Sequence, residues 1–262
     1  MSSLRLIAWN CHHGSVSTRL AELAAFAPAI VFLQECRPTE PLPLVGPFLT
    51  HRVSAQKGIA LASLGAGYHL ERLKPRAHRG RAVIGAAVSG PLSFTALGIW
   101  SRGPRYADDV MRTLNAYGRV LRSGPAIVMG DLNSGTNLAG TRSINRGHAR
   151  ILDTLADLGL VSAYHAFHQC AHGQEKHATY LHQRKPSRPW HIDFCFVPRS
   201  WASSLINVAV IDGEEWRRRS DHLPLIVDVR LAGAATRRAT SPPDRRVLRA
   251  TPERRSPSRR LR

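Results

Sequence analysis

The chain has 262 residues, 43% of them hydrophobic, which favours one large domain or at most two small ones and excludes a chain that is disordered throughout. Its 37 Lys and Arg residues and 18 Asp and Glu residues give a formal net charge of +19, with Arg far more frequent than Lys. Such a charge predicts a polyanionic partner or substrate, namely nucleic acid, an anionic membrane or a phosphorylated small molecule, although a genome that favours Arg codons would also produce it.

Strand and helix patterns alternate along the chain. The first half predicts, in order, a strand over 4–9, a helix over 18–26, and strands over 30–33, 58–63, 83–88 and 92–100. The pattern of the remaining residues predicts a helix over 104–121, a strand over 126–130, a helix over 148–158, and strands over 190–197, 206–211 and 223–229. Hairpins mixed with helical crossovers indicate α and β elements in layers rather than a plain parallel sheet.

Residues 232–262 differ in composition from the rest. They contain ten Arg, two acidic residues and four Pro, with almost no large apolar side chain. Such a segment cannot bury a core, and we expect a disordered basic tail after a folded domain over 1–231. The tail carries +8 of the net charge, so the folded domain is basic too, at +11.

The sequence shows no feature of a membrane or exported protein. Its longest apolar runs are far shorter than the roughly 18 residues of a membrane span, and the start of the chain passes directly into a strand-like run. The four cysteines form no Cys-x-x-Cys pair, which favours reduced, buried thiols. We therefore expect a cytoplasmic protein, without a membrane span, that acts as a monomer.

Polar residues stand at the edges of several apolar strands. Asn10 ends the first strand, Glu35 follows the second, and Asp131 ends the strand over 126–130. Asp193 and Asp221 stand near the later strands. Burying a carboxylate without a partner is costly, so several at strand ends indicate convergence on a cation or a catalytic centre, although each one alone could be a turn residue.

Together these positions resemble the endonuclease/exonuclease/phosphatase superfamily, which includes pancreatic-type DNases, abasic-site endonucleases, sphingomyelinases and inositol-polyphosphate phosphatases. The resemblance covers residues 6–229 and rests on five motifs in order: Trp9-Asn10, Leu33-Gln34-Glu35, Gly130-Asp131-Leu132-Asn133, His191-Ile192-Asp193 and Ser220-Asp221-His222. It implies an α/β (α+β) four-layer sandwich, in which two mixed β-sheets pack face to face with helices on both outer faces. It also implies metal-dependent hydrolysis of a phosphate ester.

The resemblance assigns roles to the motif residues. Glu35 would be the main ligand of Mg²⁺ or Mn²⁺, with Asn10 and Asp221 close by, because oxygen donors suit these hard ions. The implied catalytic residues are an Asp131 that takes a proton from the attacking water, an Asn133 that orients it, a His222 that stabilises charge on the phosphate, and an Asp193 that holds His222.

One position departs from the pattern of the family's nucleases, which tend to carry Tyr or His where this chain has Trp100. A Trp ring donates a hydrogen bond but takes up no proton, so stacking or packing is the favoured role of Trp100. Arg102 and Tyr106 follow it and could replace the missing group. We also predict that His191 and Arg219 bind substrate, the latter because it precedes the Ser220-Asp221-His222 motif.

A looser group of histidines, His165, His168, His172 and His177, lies between these motifs. No helical i, i+4 pair with an acid supports a second metal there, and we do not expect one.

The function that these residues favour is hydrolysis of phosphodiesters, with nucleic acid as the leading substrate. A phosphatase or a lipid phosphodiesterase of the same superfamily is the alternative among enzymes. A non-catalytic nucleic-acid-binding protein is the alternative outside them, and the intact set of acidic and histidine residues argues against it. Substrate choice would depend on loops, here 37–57 and 134–147, whose sequence has no readable code.

Overall fold

The computed structural model describes residues 3–37, 47–65, 67–74, 82–136, 138 and 142–231. In the first half of the chain the elements are β1 (Ser3–Asn10), α1 (Val16–Ala24), β2 (Ile30–Cys36), β3 (Phe48–Arg52), β4 (Gly58–Ser63), β5 (His69–Leu73), β6 (Val83–Ser89), β7 (Phe94–Trp100), α2 (Tyr106–Leu121) and β8 (Ala126–Asp131). In the second half they are α3 (Arg142–Asp157), β9 (Leu160–Ser162), α4 (Ala163–His168), β10 (Tyr180–Leu181), β11 (Pro189–Trp190), β12 (Asp193–Pro198), β13 (Leu205–Val210), α5 (Glu214–Arg219) and β14 (Leu225–Arg230).

The strands form two six-stranded mixed sheets. The first has the order β13-β14-β1-β2-β4-β3 and the second the order β5-β6-β7-β8-β12-β9. Each contains one parallel pair, β1 with β2 and β7 with β8, and helices α1 and α2 make the two crossovers. A parallel pair places two strand ends at the same edge of its sheet, so each sheet presents a pair of strand ends on which polar residues can meet.

The inner faces of the two sheets pack against each other. Alternate residues of β1 and β2, such as Leu6 and Phe32, are fully buried in one cluster with Ile84, Ile127 and Met129 of the second sheet. Period-two alternation turns the neighbouring residues outwards. The inter-sheet core is therefore built from one side of every central strand.

The outer face of each sheet is covered by helices. Helix α1 buries Val16, Leu20 and Leu23 against the outer side of β1 and β2. On the other side, α2 and α3 cover the second sheet with apolar residues at the 3–4 spacing of a helix face: Val110, Leu114, Tyr117, Leu121, Ile151 and Leu155. The result is a sandwich of four layers, which confirms the predicted fold class.

Some predicted boundaries were wrong. The predicted strand over 190–197 is interrupted, because Trp190 pairs with Tyr180 in a separate two-stranded sheet and β12 begins only at Asp193. Helix α3 begins at Arg142 rather than at residue 148. Strands β3 and β5, which were not predicted, lie at sheet edges and are half-buried or exposed, so they lack an apolar pattern.

The predicted basic tail at 232–262 lies outside the described residues. Among the described residues, no helix combines the length and the apolar character that crossing a bilayer requires.

Close contact between the sheets depends on glycine in β7. A Cβ atom built on Gly98 would lie 2.2 Å from the ring of Phe32 in the facing sheet. We expect Gly98→Ala to lower the free energy of unfolding by about 1–3 kcal/mol, because the core must expand to accept the methyl group. Urea denaturation measures this. Gly124→Ala is the control, since nothing lies within 4 Å of its added Cβ, and an equal loss in both variants would contradict the explanation.

Candidate active site

Polar side chains from both sheets meet at one end of the sandwich. Asn10 ends β1, Glu35 lies near the end of β2, and Asp131 ends β8. Asp131 stands directly opposite Asp193 on β12 and Trp100 on β7 in the strand register. The strand ends that the two parallel pairs create thus bring the predicted groups together.

Glu35 occupies an irregular point in its strand. The pairing of β2 with β4 shifts register between Gln34 and Cys36, and Glu35 between them has a φ of 55°, in the left-handed region. A bulge of this kind redirects a side chain out of the normal alternation. The Glu35 carboxylate accepts hydrogen bonds from Asn10 Nδ2 at 3.2 Å and from Lys57 Nζ at 2.5 Å.

The charge of Glu35 is stabilised by these two contacts. Burial acts to raise the pKa of Glu35, but the hydrogen bonds from Lys57 and Asn10 outweigh it and lower the pKa below its ordinary value. Glu35 is therefore ionised at neutral pH and ready to hold a cation.

Asp131 is completely buried and fully engaged. Asn10 Nδ2 donates to its Oδ2 at 3.0 Å, and Asn133 donates from its backbone N at 2.8 Å and from its side chain at 3.0 Å. Burial and the neighbouring charge of Asp193 raise the pKa of Asp131, although the positive charge of His222 opposes them. A carboxylate with a raised pKa is a better proton acceptor near neutral pH.

His222 stands between the two aspartates. Its Nδ1 lies 2.8 Å from Asp193 Oδ2, and its Nε2 lies 3.9 Å from Asp131 Oδ2, too far for a direct hydrogen bond. Burial acts to lower the pKa of His222, but the charges of Asp193 and Asp131 outweigh it and raise the pKa. A protonated His222 can therefore present Nε2–H towards Asp131 while Asp193 fixes the ring.

Backbone and hydroxyl contacts that the motifs did not predict hold these groups in place. Ser220 Oγ donates to Asn10 O at 2.7 Å and accepts from His222 N at 3.0 Å. Thr179 Oγ1 accepts from the backbone N of Asp193 at 3.0 Å, and the Tyr180 ring lies 4.5 Å from that of His222. Ser220 lies within a motif and could have been proposed, whereas Thr179 and Tyr180 carry no local signal.

Asp221 lies beside the cluster rather than inside it. Its Oδ1 is 3.5 Å from Nδ1 of His12, and His12 and His13 lie with Glu35 in a group whose ligand atoms are all within 4.8 Å of one another. The structure thus places this predicted metal ligand at the rim of the site.

The predicted substrate-binding residues fall into two groups. Trp100 is buried beside Asp131, and two cations lie over its ring: Arg102 at 4.8 Å and Lys57 at 5.8 Å. Tyr106 begins α2 and lines an adjacent groove together with Arg105, Arg146 and Arg150.

Arg219 and His191, also predicted to bind substrate, lie outside the polar cluster around Asp131. Arg219 donates to Glu22 at 3.0 Å and lies over the Trp216 ring, so its guanidinium is engaged with the layer of α1 and α5. His191 packs against Tyr164 and Phe194 and is bonded through Nδ1 to His177 O at 2.8 Å. Sequence proximity to a motif placed neither side chain in the cluster.

The donor set fits a hard divalent ion. Glu35 offers carboxylate oxygens, and the neighbouring Asn10, whose Nδ2 faces Glu35 and whose Oδ1 accepts from His12 N at 3.3 Å, would offer its amide oxygen only after a turn of the side chain. The ammonium group of Lys57 already stands against Glu35, which shows that this point favours a cation. Oxygen donors of this kind suit Mg²⁺ or Mn²⁺.

Comparisons with known proteins agree with the geometry. The profile of the Endonuclease/Exonuclease/phosphatase family matches residues 7–222, which include all the groups described above. This match confirms the resemblance found in the motifs. A search of curated proteins finds no significant match to the sequence.

Solved structures share the fold. An AP endonuclease from Archaeoglobus fulgidus superposes with a TM-score of 0.65 and 17% identity, over 86% of this chain and 98% of that one. A 3′ phosphatase from Neisseria bound to a product DNA hairpin gives 0.63 and 19%, over 87% and 100%. The endonuclease domain of TRAS1, a telomere-specific non-LTR retrotransposon, gives 0.65 and 17%, over 88% and 99%. At these identities the likeness establishes the fold.

The contact between His222 and Asp193 generates a test of their joint action. We expect Asp193→Asn and His222→Ala each to lower kcat for phosphate-ester hydrolysis by about 10² to 10⁴. The double variant should lose little more than either single variant, because the two side chains act as one unit. Steady-state kinetics of the three variants measures this, with Asp212→Asn, whose carboxylate pairs with Arg217 outside the site, as control. Additive losses would refute the pairing.

Proposed function

We propose that this chain, which belongs to the Endonuclease/Exonuclease/phosphatase family, is a divalent-metal-dependent phosphodiesterase that acts on nucleic acid. Members of this family hydrolyse phosphate esters, and the chain is a hydrolase of that kind. The nucleic-acid substrate and the roles of individual residues are the new elements of the proposal.

A continuous line of contacts between the two sheets carries the proposal. It runs from Asp193 through His222 to Asp131, and from Asp131 through Asn10 to Glu35. The line combines a cation-binding carboxylate, a buried base and a protonated imidazole within one small volume. Hydrolysis of a phosphate ester needs these three capabilities together.

The metal would be held by Glu35 and Asn10, with Asp221 near the rim. When bound there, Mg²⁺ or Mn²⁺ supplies charge neutralisation at the phosphate and lowers the pKa of a water molecule.

The side chains of the site position the attacking water and the phosphate, and they transfer protons. Asp131 accepts the proton of the attacking water, which its raised pKa favours, and Asn133 orients that water. His222 donates from Nε2 to a phosphate oxygen, since its Nδ1 is engaged with Asp193. Nε2 and Asp131 Oδ2 are 3.9 Å apart, so an oxygen atom at hydrogen-bond distance from both, about 2.8 Å, would lie to the side of the line that joins them. Lys57 and Arg102, which flank Trp100, add positive charge for the phosphate.

Charge distribution favours nucleic acid over a small phosphate ester. The groove lined by Tyr106 extends the site with exposed arginines, Arg105 just before α2 and Arg146 and Arg150 on α3, against one acidic residue, Asp108, as binding to a polyphosphate backbone requires. Two of the similar structures are a DNA-bound 3′ phosphatase and an AP endonuclease. The alternatives, a lipid phosphodiesterase and a small-molecule phosphatase, would not need a basic groove that continues beyond the phosphate being cleaved.

The central experiment tests metal and substrate together. Purified full-length protein with millimolar Mg²⁺ or Mn²⁺ should cleave at least one of single-stranded DNA, duplex DNA and RNA, and should leave phospholipid and inositol phosphates largely intact. Excess chelator should abolish the activity and added metal should restore it, because the donors are hard oxygens that bind weakly. Product analysis on gels and phosphate release provide the measurements.

Controls separate this activity from contamination. Asp131→Asn keeps the size of the side chain and removes the base, so its preparation should be inactive on every substrate. Full turnover in excess chelator would refute the metal-dependent mechanism, and preferential cleavage of lipid or inositol phosphate would refute the nucleic-acid proposal.

The segment 232–262 is proposed to hold the enzyme near a polyanion. Deleting it should leave the melting temperature and kcat on a small phosphodiester unchanged, while binding to DNA or RNA weakens. Each Arg that neutralises a phosphate contributes about −0.7 to −0.9 to the salt slope of binding, so the truncated protein should show a flatter slope. Fluorescence anisotropy across a series of salt concentrations measures it.

A charge-neutral tail is the matched control. Replacing the ten tail arginines with glutamine keeps the length, and it should reproduce the effect of the deletion if charge is the cause. Superimposable salt curves for the full-length and truncated proteins would show that the tail is passive.

A further inference from the structure

A second cluster of ionisable side chains lies outside the catalytic centre. It contains His165 on α4 with His172 and Glu175 from the segment that follows this helix, and their ligand atoms all lie within 4.8 Å of one another. We propose that these three residues form a binding site for a divalent transition-metal ion of the Zn²⁺ type. The catalytic roles described above use none of them.

His165 is already oriented as a metal ligand. The ring is 8% exposed, and its Nδ1 lies 2.7 Å from Ser162 Oγ while its Nε2 lies 2.8 Å from Glu175 Oε1. Histidines that bind metals are typically fixed by a hydrogen bond through the other ring nitrogen. Nε2 is therefore the ligand atom, and the ion would replace the proton shared between His165 and Glu175.

His172 provides a second imidazole with a free position. Its ring stacks on that of His165, with centroids 3.5 Å apart and planes at 22°. Its buried Nδ1 has no hydrogen-bond partner within the described part of the chain. Leaving a buried polar atom unpaired is costly, and a bound cation would supply the missing partner.

His148, next to this cluster, has a second buried imidazole nitrogen without a hydrogen-bond partner among the described residues. It is fully buried in α3, and its Nδ1 lies 3.0 Å from Ser134 Oγ, so this ring too is fixed through one nitrogen. Its Nε2 is buried without a partner among the described residues, and its ring centroid lies 6.0 Å from that of His172. His148 does not belong to the group whose ligand atoms lie within 4.8 Å of one another, so its ring lines the cluster and is not one of the proposed ligands.

This donor set indicates the class of ion. Imidazole nitrogens favour Zn²⁺ and its neighbours in the transition series over Mg²⁺, and two histidines with one glutamate are an established zinc donor set. To come within about 2.0–2.3 Å of a shared ion, the three ligand atoms would have to converge, and the His172 ring, now stacked on His165, would have to turn its in-plane lone pair towards the ion.

The site would serve the active site by fixing the segment between its ligands and β12. That segment leads from Glu175 to Thr179, whose hydroxyl accepts hydrogen bonds from the backbone N of Ile192 and Asp193, each at 3.0 Å. An ion at the cluster would tie this segment to α4. The role of the ion is therefore structural, because the segment that it fixes supports the backbone of Asp193, the residue that contacts His222.

The other two histidines of the group noted in the sequence point elsewhere. His168 Nε2 contacts the backbone oxygen of Val208 at 3.0 Å, and His177 Nδ1 contacts the Tyr164 hydroxyl at 2.8 Å. His168 is therefore a matched control: a histidine of the same region with its distal nitrogen already engaged.

Zn²⁺ binding by the full-length protein tests the proposal. Metal-free protein in millimolar Mg²⁺, which occupies the catalytic centre, should take up one equivalent of Zn²⁺ in competition with a chromophoric indicator. His172→Gln and Glu175→Gln should weaken this binding by at least the roughly 10- to 100-fold that loss of a supporting residue costs. His168→Gln should bind as the wild type does. Co²⁺ in place of Zn²⁺ should give the strong visible absorption of a four-coordinate ion, which should disappear in the two ligand variants.

The half-buried positions of His172 and Glu175 make these variants suitable, and far-UV circular dichroism of the metal-free proteins checks that each one folds. The proposal is overturned if the wild type takes up no equivalent of Zn²⁺ in the presence of Mg²⁺. It is overturned equally if His172→Gln and Glu175→Gln, both folded, bind Zn²⁺ with wild-type affinity.

Discussion

The buried carboxylate of Asp131 is the constraint on which the site depends. It stands opposite Asp193 across two adjacent strands, so the second sheet brings two like charges together away from water. Such a pair is stable only if a cation or a proton lies between them. His222 reaches this position from the loop before β14, and Asn10 of the first sheet donates a hydrogen bond to the Asp131 carboxylate. The contact between the two sheets at this edge therefore helps to stabilise the buried charges of Asp131 and Asp193.

Segments far apart in the sequence hold His222 and Glu35 in the site. Ser220 bonds to the end of β1 and to the backbone of His222, while Glu35 adopts a left-handed conformation at a bulge. A non-glycine residue in that region costs free energy, which surrounding contacts must offset. Lys57 and Asn10, which bond to the Glu35 carboxylate, supply part of that compensation.

The sequence predicted what local pattern and short motifs encode. Strand β4 matches its prediction at both ends, and Asp131 and His222 were identified from their motifs, because apolar runs and strand-end polar residues are local features. Arg219 was placed near the substrate by its neighbours in sequence, yet Glu22, almost two hundred residues away, determines its position. Thr179 and Lys57 were missed for the same reason: their partners are close only after folding.

The two clusters lie on opposite faces of one strand, β12. Neighbouring residues of β12 point to opposite faces: Asp193 contacts His222, whereas Phe194 packs in the outer core and against the rings of His148 and His191. The Asp193 side gathers the carboxylates of Asp131 and Asp193, and the Phe194 side gathers the imidazoles of His148, His165 and His172 with Glu175. A hard ion and a borderline ion prefer different donors, so the alternation of this strand would place a carboxylate-rich site and an imidazole-rich site on its opposite faces. His12 and His13 beside Glu35 give the first site imidazole donors too, so the choice between Mg²⁺ and Zn²⁺ would depend on the full donor set of each site and not on strand geometry alone.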